Sequence, residues 1–179
     1  MKKASYALLI SVIFISHLLV NYQILSRCQV IRICDEYQRI SYGQRCYQEL
    51  FSSSSTNNIK KFGCILSLDR GQGHPHLFEF AEAVSWKILD TMKIRDNDVD
   101  LMILVTNSLF LLILIISIYG IGSILYNKNI GLLAALLTTI FPFVFGQSRN
   151  AMLDFPLMAM ISLSIYLLLK TNGFRSILY

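Results

Sequence analysis

The sequence predicts an all-α integral membrane protein: about four transmembrane helices, with two interfacial helices in the loop after the first. Three observations carry this. Hydrophobic residues make up 54% of the chain and the mean hydropathy is +0.53, above what a water-soluble core needs. Four apolar runs approach the roughly 20 residues that cross a hydrocarbon layer. The segment between the first two runs repeats apolar residues close to helical spacing. Residues 1–179 read as one membrane domain, and residues 26–100 as its long outer loop.

The first run is Ala4 to Leu25. It follows Met1-Lys2-Lys3, as a signal peptide would. It is longer than a usual signal h-region and no A-x-A-like site follows, so an uncleaved span is the better reading. Cys28 could suggest a lipoprotein, but Arg27 stands where a small residue is expected.

Two amphipathic helices are expected in the loop. Tyr37, Ile40, Tyr47 and Phe51 share one face of the first, with Arg39, Gln44, Arg45 and Gln48 mostly elsewhere. Gly43 weakens that helix by up to about 1 kcal/mol relative to alanine. The second follows Gly71-Gln72-Gly73-His74, with Pro75 at a first helical position. Leu77, Phe80, Ala81, Val84 and Ile88 make its apolar face, with Glu79, Glu82 and Lys87 off it. Trp86 has the amphipathic character favoured at bilayer interfaces. Ser52 to Thr56 with Asn57-Asn58 reads as a flexible joint.

The remaining runs are Leu101 to Tyr126, Ile130 to about Gly146, and Ala151 to about Leu169. Only Asn127-Lys128-Asn129 joins the second and third, so these two form a tight antiparallel hairpin. Lys2, Lys3, Lys128, Lys170 and Arg175 all fall on one side, with no acid among them. The positive-inside rule puts that side, and the N-terminus, in the cytoplasm. The location expected is a multi-pass bacterial inner membrane, with the long loop outside.

The net charge of +5 does not form a patch. Residues 27–100 hold ten basic and ten acidic side chains and are neutral. No lysine- or arginine-rich block points to nucleic acid. All four cysteines (Cys28, Cys34, Cys46 and Cys64) lie in the loop. An oxidising compartment would allow one or two disulfides, and free thiols are an equal alternative. Their spacing does not match a zinc site.

Three constellations could carry chemistry. Asp35-Glu36 lie about ten residues past the first span. A carboxylate held there can take a proton next to a lipid; spacing alone favours Asp35 as the cap of a helix beginning at Glu36, and the two roles are not exclusive. His74 and His76 flank Pro75 and could meet a metal or a phosphate. The alternative is a glycine-rich turn into a helix N-terminus, which itself favours anions. Arg149 and Asp154 bracket the junction between the third and fourth spans. They could face a polar cavity, pair with each other to stabilise the turn, or the arginine could snorkel to headgroups. His17, inside the first span, could face a cavity or pack on another helix, and no catalytic role is assigned to it.

The order of these signals resembles the N-terminal part of the dolichyl-phosphate-mannose protein mannosyltransferases. Relatives of that family are the bacterial aminoarabinose lipid A transferases and other members of glycosyltransferase family 39. The stretches that carry the resemblance are CDEYQRISYGQRCYQEL, GHPHLFEFAEAVSWKILD and GLLAALLTTIFPFVFGQSRNAMLDFPLMAMISLSIYLLLKT. It implies the N-terminal half of a GT-C fold. It also implies transfer of a sugar from a polyprenyl-phosphate carrier to a protein or lipid acceptor at the outer face of the bilayer. Asp35 matches the family's first-loop catalytic aspartate and Glu36 its acidic neighbour. The stretch His74-Pro75-His76-Leu77 looks like the HPPL segment, with histidine in place of the second proline. Arg149 and Asp154 match the second outer-loop motif. An arginine often found before the second span has Arg95 as its nearest counterpart here. The departing phosphate needs positive charge or donors, which arginine, histidine, a helix N-terminus or a divalent cation could supply. No metal ligands are assigned.

Family members extend beyond the length of this chain, so a truncated or split enzyme is expected, with little activity from the isolated 179-residue chain. The alternatives are a small non-enzymatic membrane protein that binds a partner through its outer loop, and part of a transporter. The transporter reading leaves Asp35-Glu36 and the interfacial helices unexplained.

Overall fold

The computed structural model describes residues 3–27, 34–51, 77–93 and 98–171. These form seven helices: α1 (Lys3–Arg27), α2 (Cys34–Phe51), α3 (Leu77–Thr91), α4 (Val99–Leu125), α5 (Lys128–Ile140), α6 (Pro142–Gln147) and α7 (Asp154–Lys170). The described residues contain no strand. Two of the helices, α1 and α4, are long and apolar enough to cross a membrane. The chain divides into two compact units. One holds Met1–Gln29, Asn107–Arg149 and Leu153–Tyr179, and the other Val30–Thr106 and Asn150–Met152.

In the first unit α1 is two-sided. Leu8, Val12, Ile15 and Leu19 are exposed, an apolar surface suited to lipid. Tyr6, His17 and Asn21 recur on the opposite stripe and are buried. The Tyr6 hydroxyl donates to Asn129 Oδ1 at 2.9 Å, beside the turn between α4 and α5. That hairpin is as tight as the spacing predicts. Asn127 is the N-cap of α5, its side chain accepting from the backbone N–H groups of Asn129 and Ile130. Two glycines let the helices touch. A Cβ on Gly122 would lie 2.7 Å from Gly131 Cα.

The third apolar run is not one continuous helix. It breaks at Phe141, whose φ of −62° and ψ of 126° are extended. Pro142 disfavours helical backbone in the residue before it and has no N–H to continue the ladder. The chain then restarts as α6 with Pro142 in its first turn. The fourth run begins at Asp154 rather than Ala151, because residues 148–153 form a non-helical connection.

In the second unit α2 packs on α3. The buried side of α2 is Glu36, Ile40, Gly43 and Cys46, while Tyr37 and Phe51 are exposed. Of the face expected from spacing, Ile40 is fully buried and Tyr47 partly so. On α3 the expected face is divided: Ala81 is buried and Phe80 and Val84 partly so, but Leu77 and Ile88 are exposed, and Phe78, Glu79, Glu82, Ser85, Trp86 and Leu89 are buried. The reason is close approach. At Gly43 the helices come so near that an added Cβ would lie 2.8 Å from Glu82 Cβ. Only the side of α3 carrying Glu82, with Ala83 beside Cys46, fits there. Ser85 extends this core to α4, where the Thr106 hydroxyl donates to Ser85 Oγ at 2.9 Å. Cys46 is disulfide-bonded, so at least this thiol is not free.

Candidate functional site

Asp35 is the second residue of α2. The helix begins at Cys34, so Asp35 lies inside its first turn rather than capping a helix from Glu36. The Asp35 side chain lies outside the described residues, as do His74 and His76.

Glu36 is described, and its position is specific. It is 3% exposed, and its Oε1 accepts the backbone N–H of Ala151 at 2.9 Å. The two residues are 115 positions apart. A charged acceptor in a buried setting makes a strong hydrogen bond, and losing it would strand a buried N–H. The acid beside Asp35 therefore ties the start of α2 to the connection that follows Arg149 in sequence. One turn on, Arg39 Nη1 reaches Glu79 Oε1 of α3 at 4.0 Å. Tyr47, further along α2, donates its hydroxyl to Asp90 Oδ2 at 3.1 Å. Partial burial and the Asp90 carboxylate both raise the Tyr47 pKa above 10.0.

The first unit holds the other half of the sequence motif. Ser148 is 2% exposed and lies at the C-terminal end of α6. Its hydroxyl oxygen meets His17 Nε2 at 3.0 Å and accepts from Asn21 Nδ2 at 2.9 Å. The Ser148 carbonyl accepts from Asn107 Nδ2 of α4 at 3.1 Å. Arg149 follows directly, half-buried, with its guanidinium carbon 4.9 Å from the centre of the Phe145 ring. No carboxylate pairs with Arg149 among the described residues. Asp154 is exposed in the first turn of α7, where a negative charge favours the helix dipole. Arg149 and Asp154 thus do not form the turn-stabilising pair that their spacing allows.

Ser148 opens the segment that the sequence singles out, whereas its partners Asn21 and Asn107 in the first unit, and the buried Glu79 and Glu82 in the second, belong to no motif. His17 and Asn21 do carry a signal. Two polar residues four apart on an apolar helix share a face, and at membrane depth such residues rarely lack a partner. No cluster of three or more His, Cys, Asp or Glu side chains among the described residues could hold a metal.

Each unit thus holds its own buried polar group: Glu36 on the Ala151 backbone in one, and His17, Asn21 and Asn107 on Ser148 in the other. A family model described as dolichyl-phosphate-mannose-protein mannosyltransferase matches residues 81–177. This is more than half of the 179 residues, and the chain belongs to that family of membrane-embedded glycosyltransferases. Arg149 and Asp154 fall inside the match, whereas Asp35, Glu36, His74 and His76 precede it. No curated protein and no solved structure matches the chain.

Proposed function

We propose that this chain carries the first-loop base and a phosphate-facing arginine for sugar transfer. The donor is a polyprenyl-phosphate-linked sugar, and the acceptor is a hydroxyl or phosphate on a protein or lipid at the outer face of the membrane, which the chain crosses more than once. For a hydroxyl acceptor, the bond from the anomeric carbon to the phosphate oxygen breaks as the bond to the acceptor oxygen forms. The Asp35 carboxylate takes the hydroxyl proton and polyprenyl phosphate leaves. Arg149, which has no carboxylate partner among the described residues, counters the phosphate charge. His74 and His76 are assigned to the same donor, and Asp154 to orienting the second loop. Glu36 supports Asp35 by fixing the start of α2.

The observation that carries this reading is the Glu36–Ala151 hydrogen bond. It joins the acidic start of α2 to Ala151, 115 positions on, in a chain whose family transfers sugars from lipid carriers. The test is Asp35→Asn in membranes where transfer depends on this chain, using a radiolabelled polyprenyl-phosphate sugar. Loss of a general base lowers the rate by roughly 10²–10⁴-fold. Transfer by the variant at the wild-type rate would remove Asp35 from the mechanism.

A further inference from the structure

Arg149 is held from two directions, and both lead back to one residue of α1. The His17 ring meets the Phe145 ring edge-on, with centroids 5.2 Å apart and an interplanar angle of 74°. The Arg149 guanidinium lies over that same Phe145 ring. His17 also grips the backbone next to Arg149. The Thr139 carbonyl can only accept, so His17 Nδ1 carries the proton it donates there, at 3.1 Å. In the neutral ring, Nε2 can then only accept, so the one Ser148 hydroxyl proton is shared between Nε2 at 3.0 Å and the Phe145 carbonyl at 3.0 Å. Asn21 and Asn107 complete the lock on Ser148 from α1 and α4.

We propose that His17 is a positioning residue that sets the Arg149 guanidinium through the Phe145 ring and the Ser148 turn. The proposal rests on the reading that Arg149 meets the donor phosphate. A residue serving only to fill space at this depth would be apolar, since a buried polar group needs its partners to offset desolvation. Both ring nitrogens of His17 and its ring contact are used, and these three contacts all lead to the segment from Thr139 to Ser148.

The full chain in phospholipid nanodiscs gives two separate readouts. The first is the rate at which phenylglyoxal modifies Arg149, followed by peptide mass spectrometry with the exposed Arg27 and Arg45 as internal references. His17→Ala and Phe145→Leu each speed modification of Arg149 about two- to fivefold, the worth of one cation–π contact, and leave Arg27 and Arg45 unchanged. Ser148→Ala acts in the same direction, and Ser148→Thr, which keeps the hydroxyl, stays at the wild-type rate. If His17→Ala raises modification at all three arginines through unfolding, Phe145→Leu decides, because it leaves the hydrogen bonds to Ser148 in place. Wild-type Arg149 rates in the folded variants overturn the proposal. The second readout is affinity for a fluorescent polyprenyl phosphate, which Arg149→Lys weakens several-fold. Unchanged affinity in Arg149→Lys defeats the phosphate reading and leaves the modification rates as the measure of positioning.

Discussion

Gly43→Ala is the substitution whose sign the structure decides against local propensity. Replacing a mid-helix glycine with alanine ordinarily stabilises by up to about 1 kcal/mol. Here the new Cβ would lie 2.8 Å from Glu82 Cβ and 3.0 Å from Glu82 Cδ, and it would also strike Glu82 Oε2. The carboxylate can swing aside, but the Glu82 Cβ is fixed to the backbone of α3. Carbon atoms prefer about 3.5–4.0 Å, so the helices must separate by on the order of 1 Å at this point. Overpacking of this kind costs about 1–3 kcal/mol, which outweighs the propensity gain and leaves a net loss of about 1–2 kcal/mol. Trp86 is the chain's single tryptophan and is buried on α3, so its fluorescence reports this interface. Denaturant titration in detergent micelles, read by Trp86 emission and by circular dichroism, gives the stability change. Combining the variant with Glu82→Gly, which removes the opposing Cβ, recovers about 1 kcal/mol as a coupling term in a double-mutant cycle. A Gly43→Ala protein more stable than wild type would refute the packing argument.

Three further outcomes are expected. Glu36→Ala strands the buried Ala151 N–H and lowers stability by about 1.5–3 kcal/mol in the same titration, and faster hydrogen exchange at Ala151 locates the effect. Gly131→Leu separates α4 from α5, because even a Cβ there would lie 2.9 Å from Ser123 N. The loss is about 1–3 kcal/mol, seen as a lower midpoint in thermal unfolding. Tyr47 is raised by desolvation and by Asp90, so its contribution to stability is fully present below pH 10.0 and is lost as pH rises through its native pKa. A phenolate absorbance titration finds that Asp90→Asn brings the Tyr47 midpoint down, and an unchanged midpoint would rule out Asp90 as a cause.

The site was legible in part. Asp35-Glu36 stand out by position after the first span, and Arg149 with Asp154 by charge at a junction of apolar runs. What they do to one another was not legible. Spacing allowed an Arg149–Asp154 pair, but the helix start placed Asp154 in the first turn of α7 and left Arg149 over Phe145. The link that does form, from Glu36 to Ala151, joins residues too far apart for any local pattern to register.

By itself the sequence determined the helices, because long apolar runs must satisfy their backbone internally. It also determined the tight turn at Asn127, because so few polar residues separate two long runs. It also singled out Asp35-Glu36, Arg149 and Asp154 as candidate positions, since charged residues beside such runs are few. Tertiary structure alone decided which faces are buried. α3 has apolar residues on more than one side, from Leu77 and Phe78 to Ile88 and Leu89, so periodicity does not choose between them. Contact distance does: Gly43 admits the side that carries Glu82 and turns Leu77 and Ile88 outward. Tertiary structure likewise gave His17 its partners, because a buried imidazole needs a donor and an acceptor and only the folded chain brings Thr139 and Ser148 within reach.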